Sequence, residues 1–187
     1  MPLRYVAPVL RHVPRVVRAM LRVQVFTGVR SGSICNARPE QFDTTGDVWL
    51  WRPQHKTEYL ERELVIPIGP RCQRVLRPYL TTARPGDFLF SPRSVANNRR
   101  YNKRYRSQSY CVAVVRGIRR ANKARKPDEQ IPHWTPHFIR HYKGDTVNAK
   151  YGIEAAQAVL GHDDMSATKL YRSRRLDLAT RVAKETG

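Results

Sequence analysis

The sequence predicts an α+β fold: a mostly helical domain with a small antiparallel β-sheet of about three strands. Apolar residues recur at three- and four-residue steps through most of the 187 residues, as they do on the buried face of a helix. Between residues 41 and 68 this pattern changes to short segments that are typical of strands. The length is sufficient for one domain with its own hydrophobic core.

The first predicted helix begins at Pro14 and runs to about Phe26. Its apolar positions follow the helical repeat, and Gly28 then breaks the pattern. A second, short helix is predicted over residues 31–37. Arg30 therefore lies at the junction between two predicted helices.

Two strands are predicted with more precision than the rest of the sheet. One covers residues 48–51, and the other covers residues 62–68, where apolar side chains alternate along the segment. A turn at residues 46–47 fits the chain reversal before the first of them. Lys56 lies between the two strands, on a predicted hairpin loop.

The later part of the chain is predicted to be helical, with loops between the helices. The predicted helices cover residues 70–80, 107–126, 136–150, 153–160, 165–172 and 176–184. The last of these is amphipathic, with Leu176, Ala179 and Val182 on one side. Gly161 is the expected C-terminal cap of the predicted helix over residues 153–160.

The charge balance points to a polyanionic partner. Lys and Arg total 35 against 15 Asp and Glu, which gives a net charge of +20. A solvated surface alone does not require this excess, and nucleic acid is the simplest partner that explains it. A ribosomal protein or a protein that binds acidic membranes shares such a charge. No apolar run reaches the length of a transmembrane helix, so we expect no membrane-spanning segment.

One loop concentrates this charge. Basic residues and tyrosines alternate in residues 93–106, and a solvated loop is the plain alternative to phosphate contact. The predicted DNA-binding residues are Arg93, Arg99, Arg100, Lys103, Arg104 and Arg106.

The residues best suited to chemistry lie in the segment 135–141. Thr135 and Pro136 suit the start of a helix, which places His137 and Arg140 on one face, a turn apart. A helix N-terminus that carries an imidazole and a guanidinium offers hydrogen-bond donors and a proton carrier to a phosphate. Taken alone, this spacing is common and has little specificity.

A second cluster makes the pattern specific. Residues 160–162 read Leu-Gly-His, and Tyr171 follows nine residues after His162. With His137 and Arg140 upstream, this order resembles the tyrosine recombinase (phage integrase) family. Residues 27–30, Thr-Gly-Val-Arg, resemble the box that carries the first arginine of that family. The resemblance covers residues 15–172.

The resemblance implies a role for each matching residue. The two arginines hold the scissile phosphate, one histidine assists proton transfer at the tyrosine, and the other hydrogen-bonds the phosphate. A hairpin lysine protonates the leaving oxygen, and the tyrosine forms a 3′-phosphotyrosyl link to DNA. The reaction needs no cofactor and no metal ion. The implied catalytic residues are Arg30, Lys56, His137, Arg140, His162 and Tyr171. His141 matches a residue that has a structural role in the family.

The resemblance also implies partners and a location. The expected partners are double-stranded DNA and other copies of the chain, the latter through the C-terminal helix over residues 176–184. The implied setting is the cytoplasm, in association with the nucleoid, of a bacterial or phage system.

Two departures from the family leave other functions open. Ser33 occupies a position where the family usually has an acidic residue that holds the first arginine. We expect an irregular basic segment over residues 1–13 and a catalytic domain over residues 14–187, without the family's separate N-terminal DNA-binding domain. A degenerate recombinase that binds DNA without cutting it, or an enzyme similar to a type IB topoisomerase, remains an alternative. An RNA-binding protein without chemistry is a more distant one.

Overall fold

A computed structural model describes residues 3–53, 64–92, 103–161 and 169–187, with the backbone alone for residues 169–175. The structure confirms the predicted α+β fold, in which helices predominate and pack around a small antiparallel sheet. The helices are α1 (Arg15–Thr27), α2 (Ser31–Cys35), α3 (Pro70–Thr82), α4 (Ser107–Asn122), α5 (Pro136–Tyr151), α6 (Ile153–Leu160) and α7 (Lys169–Thr186). Short 3-10 helices cover Leu3–Tyr5, Ala7–Arg11, Pro39–Gln41 and Pro127–Glu129.

Helix α1 is the centre of the fold. Val17, Met20 and Leu21 on its apolar face are fully buried, and the helix contacts α3, α4, α5 and α7. It ends where the sequence predicts, because Gly28 adopts a left-handed conformation with φ of 69°. The backbone N–H of Gly28 caps the helix by donating to the carbonyl oxygen of Gln24 at 2.8 Å.

The sheet has three short strands in the order β1 (Phe42–Asp43), β2 (Trp49–Trp51), β3 (Ile66–Ile68), all antiparallel. Trp51 pairs with Phe42 on one side and with Ile66 on the other. Its ring stacks on Phe42 at a centroid distance of 5.1 Å, and its indole N–H donates to Gln41. The second predicted strand is shorter than expected, since residues 64–65 are not in a strand and residues 62–63 lie outside the described ranges.

Strand β3 is covered on both faces. Ile66, Pro67 and Ile68 are all buried, although the sequence pattern predicted that side chains would alternate between core and solvent. The reason is helix α7, which packs against this strand and places Val182 and Ala183 beside Pro67. Pro67 is tolerated there because β3 lies at the edge of the sheet.

The C-terminal helix differs from its prediction. Residues 165–172 and 176–184 were expected to form two helices, but α7 is continuous from Lys169 to Thr186. The intervening residues 173–175 contain neither glycine nor proline, so nothing in the sequence interrupts the backbone hydrogen bonds there. Residues 162–168 lie outside the described part of the chain.

The N-terminal segment is more ordered than predicted. Instead of an irregular stretch, residues 3–11 contain the first two 3-10 helices, and Val9 is fully buried in the core. Val9 and Val13 pack against Gly117 of α4, where a Cβ atom would lie 2.5 Å from a Val13 methyl group. The glycine permits this close packing. A domain boundary at residue 14 remains a prediction.

The described helices include none with the length and apolarity that a membrane crossing requires. All three cysteines are free thiols, of which Cys35 and Cys72 are buried and Cys111 is half-buried.

Candidate active site

Arg140 connects three of the motifs that the sequence singles out. It lies in the first turns of α5, and its side chain is only 7% exposed. Its Nη1 donates to the carbonyl oxygen of Gly28 at 2.9 Å, and its Nη2 donates to the carbonyl oxygen of Leu160 at 2.7 Å. Gly28 belongs to the Thr-Gly-Val-Arg box, and Leu160 belongs to the Leu-Gly-His box. A guanidinium has five N–H groups, so three remain for a ligand.

The turn that carries Arg30 is held by bonds to each of the three residues before it. Thr27 Oγ1 accepts from the backbone N–H of Val29 at 3.3 Å and donates to the carbonyl oxygen of Val23. The Gly28 carbonyl accepts from Arg140. The Val29 carbonyl accepts from the side-chain amide of Gln24 at 2.9 Å. Every one of these bonds is buried, so the turn has a fixed geometry.

Gln24 is a positioning residue that the sequence patterns did not identify as one. It lies on the apolar face of α1 and is fully buried. Its amide donates to Val29, while its carbonyl oxygen accepts from the hydroxyl of Tyr110 at 3.0 Å. Both ends of the amide are therefore satisfied, which buried polar groups require. Tyr110 lies 86 residues later in the chain, so no local pattern could reveal this contact.

Arg30 follows this turn as the N-terminal cap residue of α2, and its side chain is exposed. It lies close enough to Arg140 to affect its ionisation. Burial lowers the pKa of Arg140 from 12.5 to about 10, and the positive charge of Arg30 lowers this pKa further. Among the described residues, no carboxylate forms an ion pair with either arginine. Two guanidinium groups that find no counter-charge in the described part of the chain favour an anionic ligand.

His137 lies on the exposed side of α5, in its first turn. Its Nε2 approaches the Nε2 of His141 to 2.9 Å, and the two rings are nearly perpendicular. Helix α5 begins as the sequence predicts, with Thr135 as the N-cap residue and Pro136 in the first turn. Ile139 and Arg140 anchor the helix in the core, which leaves the two imidazoles facing outward.

Within the described part of the predicted DNA-binding loop, only its end, at Arg106, lies near this site. Lys103 and Arg106 are exposed, and the half-buried Arg104 places its guanidinium over the ring of Phe88. Ser107, which begins α4, lies beside Gly32 of α2, where a Cβ atom would be 3.9 Å from the serine hydroxyl. The basic segment thus ends next to the short helix that Arg30 caps.

Lys143 is a second feature that sequence reasoning missed. It is only 7% exposed, and its Nζ donates to Thr186 Oγ1 at 2.9 Å. Burial lowers its pKa from 10.5 to about 8, and the nearby Cys72 has a smaller, opposite effect. Its stem packs under Gly28, which places a buried amine between the Arg30 turn and the C-terminal end of α7.

Several predicted site residues are not placed by the structure. Lys56 and His162 lie outside the described residues, as do Arg93, Arg99 and Arg100. Tyr171 lies in the first turn of α7, but only its backbone is described.

A cleft with a volume of about 850 Å³ is not built from the motif residues. Arg15, Arg38, Tyr79 and Lys103 contribute to its walls.

Comparison with known proteins identifies a family. The family model described as Phage integrase family matches residues 11–176, which is most of the chain. No curated protein matches the sequence.

Solved structures share the fold at low sequence identity. The integrase from mycobacterium phage Brujita is 17% identical with a TM-score of 0.63, over 95% of this chain and 55% of that one. XerH recombinase, solved bound to its difH substrate in a pre-cleavage complex, is 17% identical with a TM-score of 0.60, over 96% and 52%. A lambda integrase dimer bound to a core site is 16% identical with a TM-score of 0.62, over 90% and 60%. This chain thus spans between half and two thirds of their lengths.

Proposed function

Because this chain belongs to the phage integrase family, we propose that it is the catalytic domain of a site-specific DNA recombinase. One observation carries the proposal: the Arg140 guanidinium bonds to Gly28 and to Leu160, and so brings three separate motifs to one point. Chance occurrence of the motifs does not predict that they meet in the fold. Double-stranded DNA is the proposed substrate.

The proposed reaction exchanges one phosphodiester for another. The phenolic oxygen of Tyr171 attacks the scissile phosphorus, and the bond from phosphorus to the 5′ oxygen breaks. The phenolic proton passes to His137, and the departing 5′ oxygen takes a proton from Lys56. The product is a 3′-phosphotyrosyl link and a free 5′-hydroxyl, and attack by the 5′-hydroxyl of a partner strand reverses the step. Bond energy is conserved, so neither ATP nor a metal ion is consumed.

The arginine pair supports this chemistry. Charge accumulates on the non-bridging phosphate oxygens as the nucleophile attacks, and two fixed guanidinium groups stabilise it better than two flexible lysines. Arg140 is held by two buried bonds, and the turn before Arg30 is held by the bonds described above. We assign His162 a hydrogen bond to the same phosphate.

DNA binding follows from the charge. We propose that Lys103, Arg104 and Arg106, together with Arg93, Arg99 and Arg100, contact the DNA backbone. A net charge of +20 predicts strongly salt-dependent binding by this domain. Affinity that stays constant between about 50 and 200 mM salt, where many phosphate contacts should cost orders of magnitude, contradicts this part of the proposal.

Assembly on DNA is proposed to involve residues 176–184 of α7. In this structure Ala179 and Val182 are buried against the same chain, and the carbonyl oxygen of Gly187 accepts from the backbone N–H of Cys72. Docking on a neighbouring protomer then occurs by exchange of α7, which leaves its own chain and makes the same contacts with another copy. Thr186→Val removes the bond to Lys143 and should favour assembly on a native gel. Truncation before Leu176 should abolish assembly, and unchanged assembly in both variants contradicts exchange. We place the protein in the cytoplasm, on the nucleoid, of a bacterial or phage system.

The decisive experiment uses a nicked suicide DNA substrate drawn from a pool of sequences. A covalent protein–DNA band on a denaturing gel that Tyr171→Phe abolishes and Tyr142→Phe retains supports the proposal. DNA binding without a band supports a degenerate, non-cleaving domain. A band accompanied by relaxation of supercoiled plasmid without strand exchange supports a reaction of the type IB topoisomerase kind.

A further inference from the structure

His137 and His141 form a close pair, although the proposed proton transfer requires only the imidazole of His137. They lie one turn apart on the exposed side of α5. Their Nε2 atoms are 2.9 Å apart, their ring centroids are 4.4 Å apart, and the ring planes meet at 89°. Together, these values indicate how the lone pairs of the two Nε2 atoms are directed.

The two distances match those of a chelate. Two imidazoles at right angles about one ion, with metal–nitrogen bonds of about 2.0–2.1 Å, place their nitrogens about 2.9 Å apart. Since each centroid lies about 1.1–1.2 Å behind its nitrogen, the same arrangement separates the centroids by about 4.5 Å. A hydrogen bond of this length with both rings in line separates them by about 5.2 Å. The observed rings are closer than that, so their lone pairs converge.

We propose that His137 and His141 bind one divalent transition-metal ion in adjacent coordination positions. A right angle between the ligands suits square-planar and octahedral ions better than tetrahedral ones, which favours Ni²⁺ and Cu²⁺ over Zn²⁺. Within the described residues, no group of three or more His, Cys, Asp or Glu side chains could hold a metal ion. Water therefore fills the remaining positions that the described residues leave open.

The helix fixes the backbone of the site. Phe138 N–H donates to the Thr135 carbonyl at 3.0 Å in the first turn, and Ile139 and Arg140, which lie between the two histidines in sequence, are buried. Ion binding therefore has to order only the two imidazole side chains. Positive charge from the α5 N-terminus and from the arginines opposes a cation here. We therefore expect moderate affinity, far below that of a structural site with four protein ligands.

Occupation of the site has a consequence for catalysis. The ion takes the Nε2 lone pair of His137, which is then unable to accept the tyrosine proton. Metal binding thus makes the site inhibitory, and a chelator restores activity. This consequence rests on the proposed recombinase function, whereas the binding itself does not.

The binding test uses Ni²⁺, which does not oxidise the half-buried Cys111. The tag-free chain is titrated by calorimetry without DNA, with circular dichroism to confirm that each variant is folded. His137→Ala and His141→Ala should each lower the affinity at least about tenfold. His133→Ala is the matched control, because this exposed histidine precedes α5 and lies outside the pair. Unchanged affinity in His141→Ala, or an equal loss in His133→Ala, overturns the proposal.

A second test separates inhibition from binding. Ni²⁺ should suppress covalent adduct formation by the wild-type chain, and EDTA should restore it. His141→Ala, normalised to its own metal-free activity, should be resistant. Equal inhibition of His141→Ala places the inhibitory ion elsewhere and overturns the catalytic consequence. Because the titration needs no DNA, failure of the recombinase proposal leaves its result intact.

Discussion

The guanidinium of Arg140 donates a hydrogen bond to the carbonyl oxygen of Gly28, which lies 112 residues earlier in the chain. Arg140 also donates to the carbonyl oxygen of Leu160. A residue that is predicted to bind phosphate therefore also holds parts of the fold together. Substitution at this position should therefore affect stability and catalysis together.

Arg140→Lys should lower the free energy of unfolding by about 1–3 kcal/mol. Lysine has a single nitrogen and does not reproduce the two divergent bonds, so one buried carbonyl loses its donor. Urea denaturation followed by circular dichroism measures this change. Arg119→Lys, on the exposed side of α4, is the control and should change stability by less than about 0.5 kcal/mol. Equal effects in both variants contradict the framework role of Arg140.

Gly28→Ala should be more destabilising than Gly86→Ala, although both glycines have a positive φ. Alanine at φ of 69° costs about 1–2 kcal/mol, and its Cβ would also lie 2.8 Å from a Leu160 methyl carbon. Gly86→Ala is the matched control, since Gly86 has φ of 84° and nothing within 4 Å of an added Cβ. Thermal melting of both variants isolates the packing cost. A lower melting temperature for Gly86→Ala contradicts this explanation.

Tyr110→Phe should destabilise the protein by about 1–3 kcal/mol, because it leaves the buried carbonyl oxygen of Gln24 without a donor. Tyr5→Phe is the control, since that hydroxyl takes part in an exposed contact with Arg4. A double-mutant cycle with Gln24→Leu should give a coupling energy of at least about 0.5 kcal/mol. Additive effects of the two substitutions contradict a shared role in holding the Arg30 turn.

Lys143→Met should change how stability depends on pH. Burial lowers the Lys143 pKa to about 8 in the folded state, so between pH 8 and 10.5 the unfolded chain binds more protons. The unfolding free energy of the wild type should therefore rise relative to Lys143→Met across this window, by roughly 3 kcal/mol in total.

The same substitution should stabilise the protein at pH 7, where the buried ammonium is still charged. Thr186 Oγ1 keeps its own bond to the carbonyl oxygen of Val182, so it loses little when the lysine is removed. Urea titrations of the wild type and Lys143→Met from pH 7 to 9.5 provide the measurement. Lys123→Met, at an exposed position, should follow the wild type. A constant difference between the wild type and Lys143→Met over this range excludes a lowered pKa.

Local signals in the sequence predicted much of the fold. Helix α6 has its predicted bounds, and α1 and α5 end within about one residue of theirs. Gly28 marks the end of α1, and Pro136 marks the start of α5. The buried face of α4 was less predictable. Val112 is apolar but 41% exposed, whereas Gly117 lies on the buried face because Val9 and Val13 pack there.

The candidate site likewise has features that local sequence signals predict and features that only the structure reveals. The order of the motifs along the chain made Arg30, His137 and Arg140 candidates, but the shared helix face predicted for His137 and Arg140 is not observed, since His137 is exposed and Arg140 is buried. The contacts that hold them join residues far apart in the chain, such as Gln24 with Tyr110 and Lys143 with Thr186. Periodicity records which face of a helix is buried, but not what it packs against, so these partners required the structure.

The two framework bonds of Arg140 also bear on how such a domain evolves. If the proposed DNA cleavage were lost in a descendant, Arg140, Gly28 and Thr27 would still stabilise the fold through their buried hydrogen bonds. Selection on folding alone therefore preserves much of the family signature. The exposed Arg30 and His137 are not under this folding constraint. We expect them to be the first to be substituted once cleavage is no longer selected.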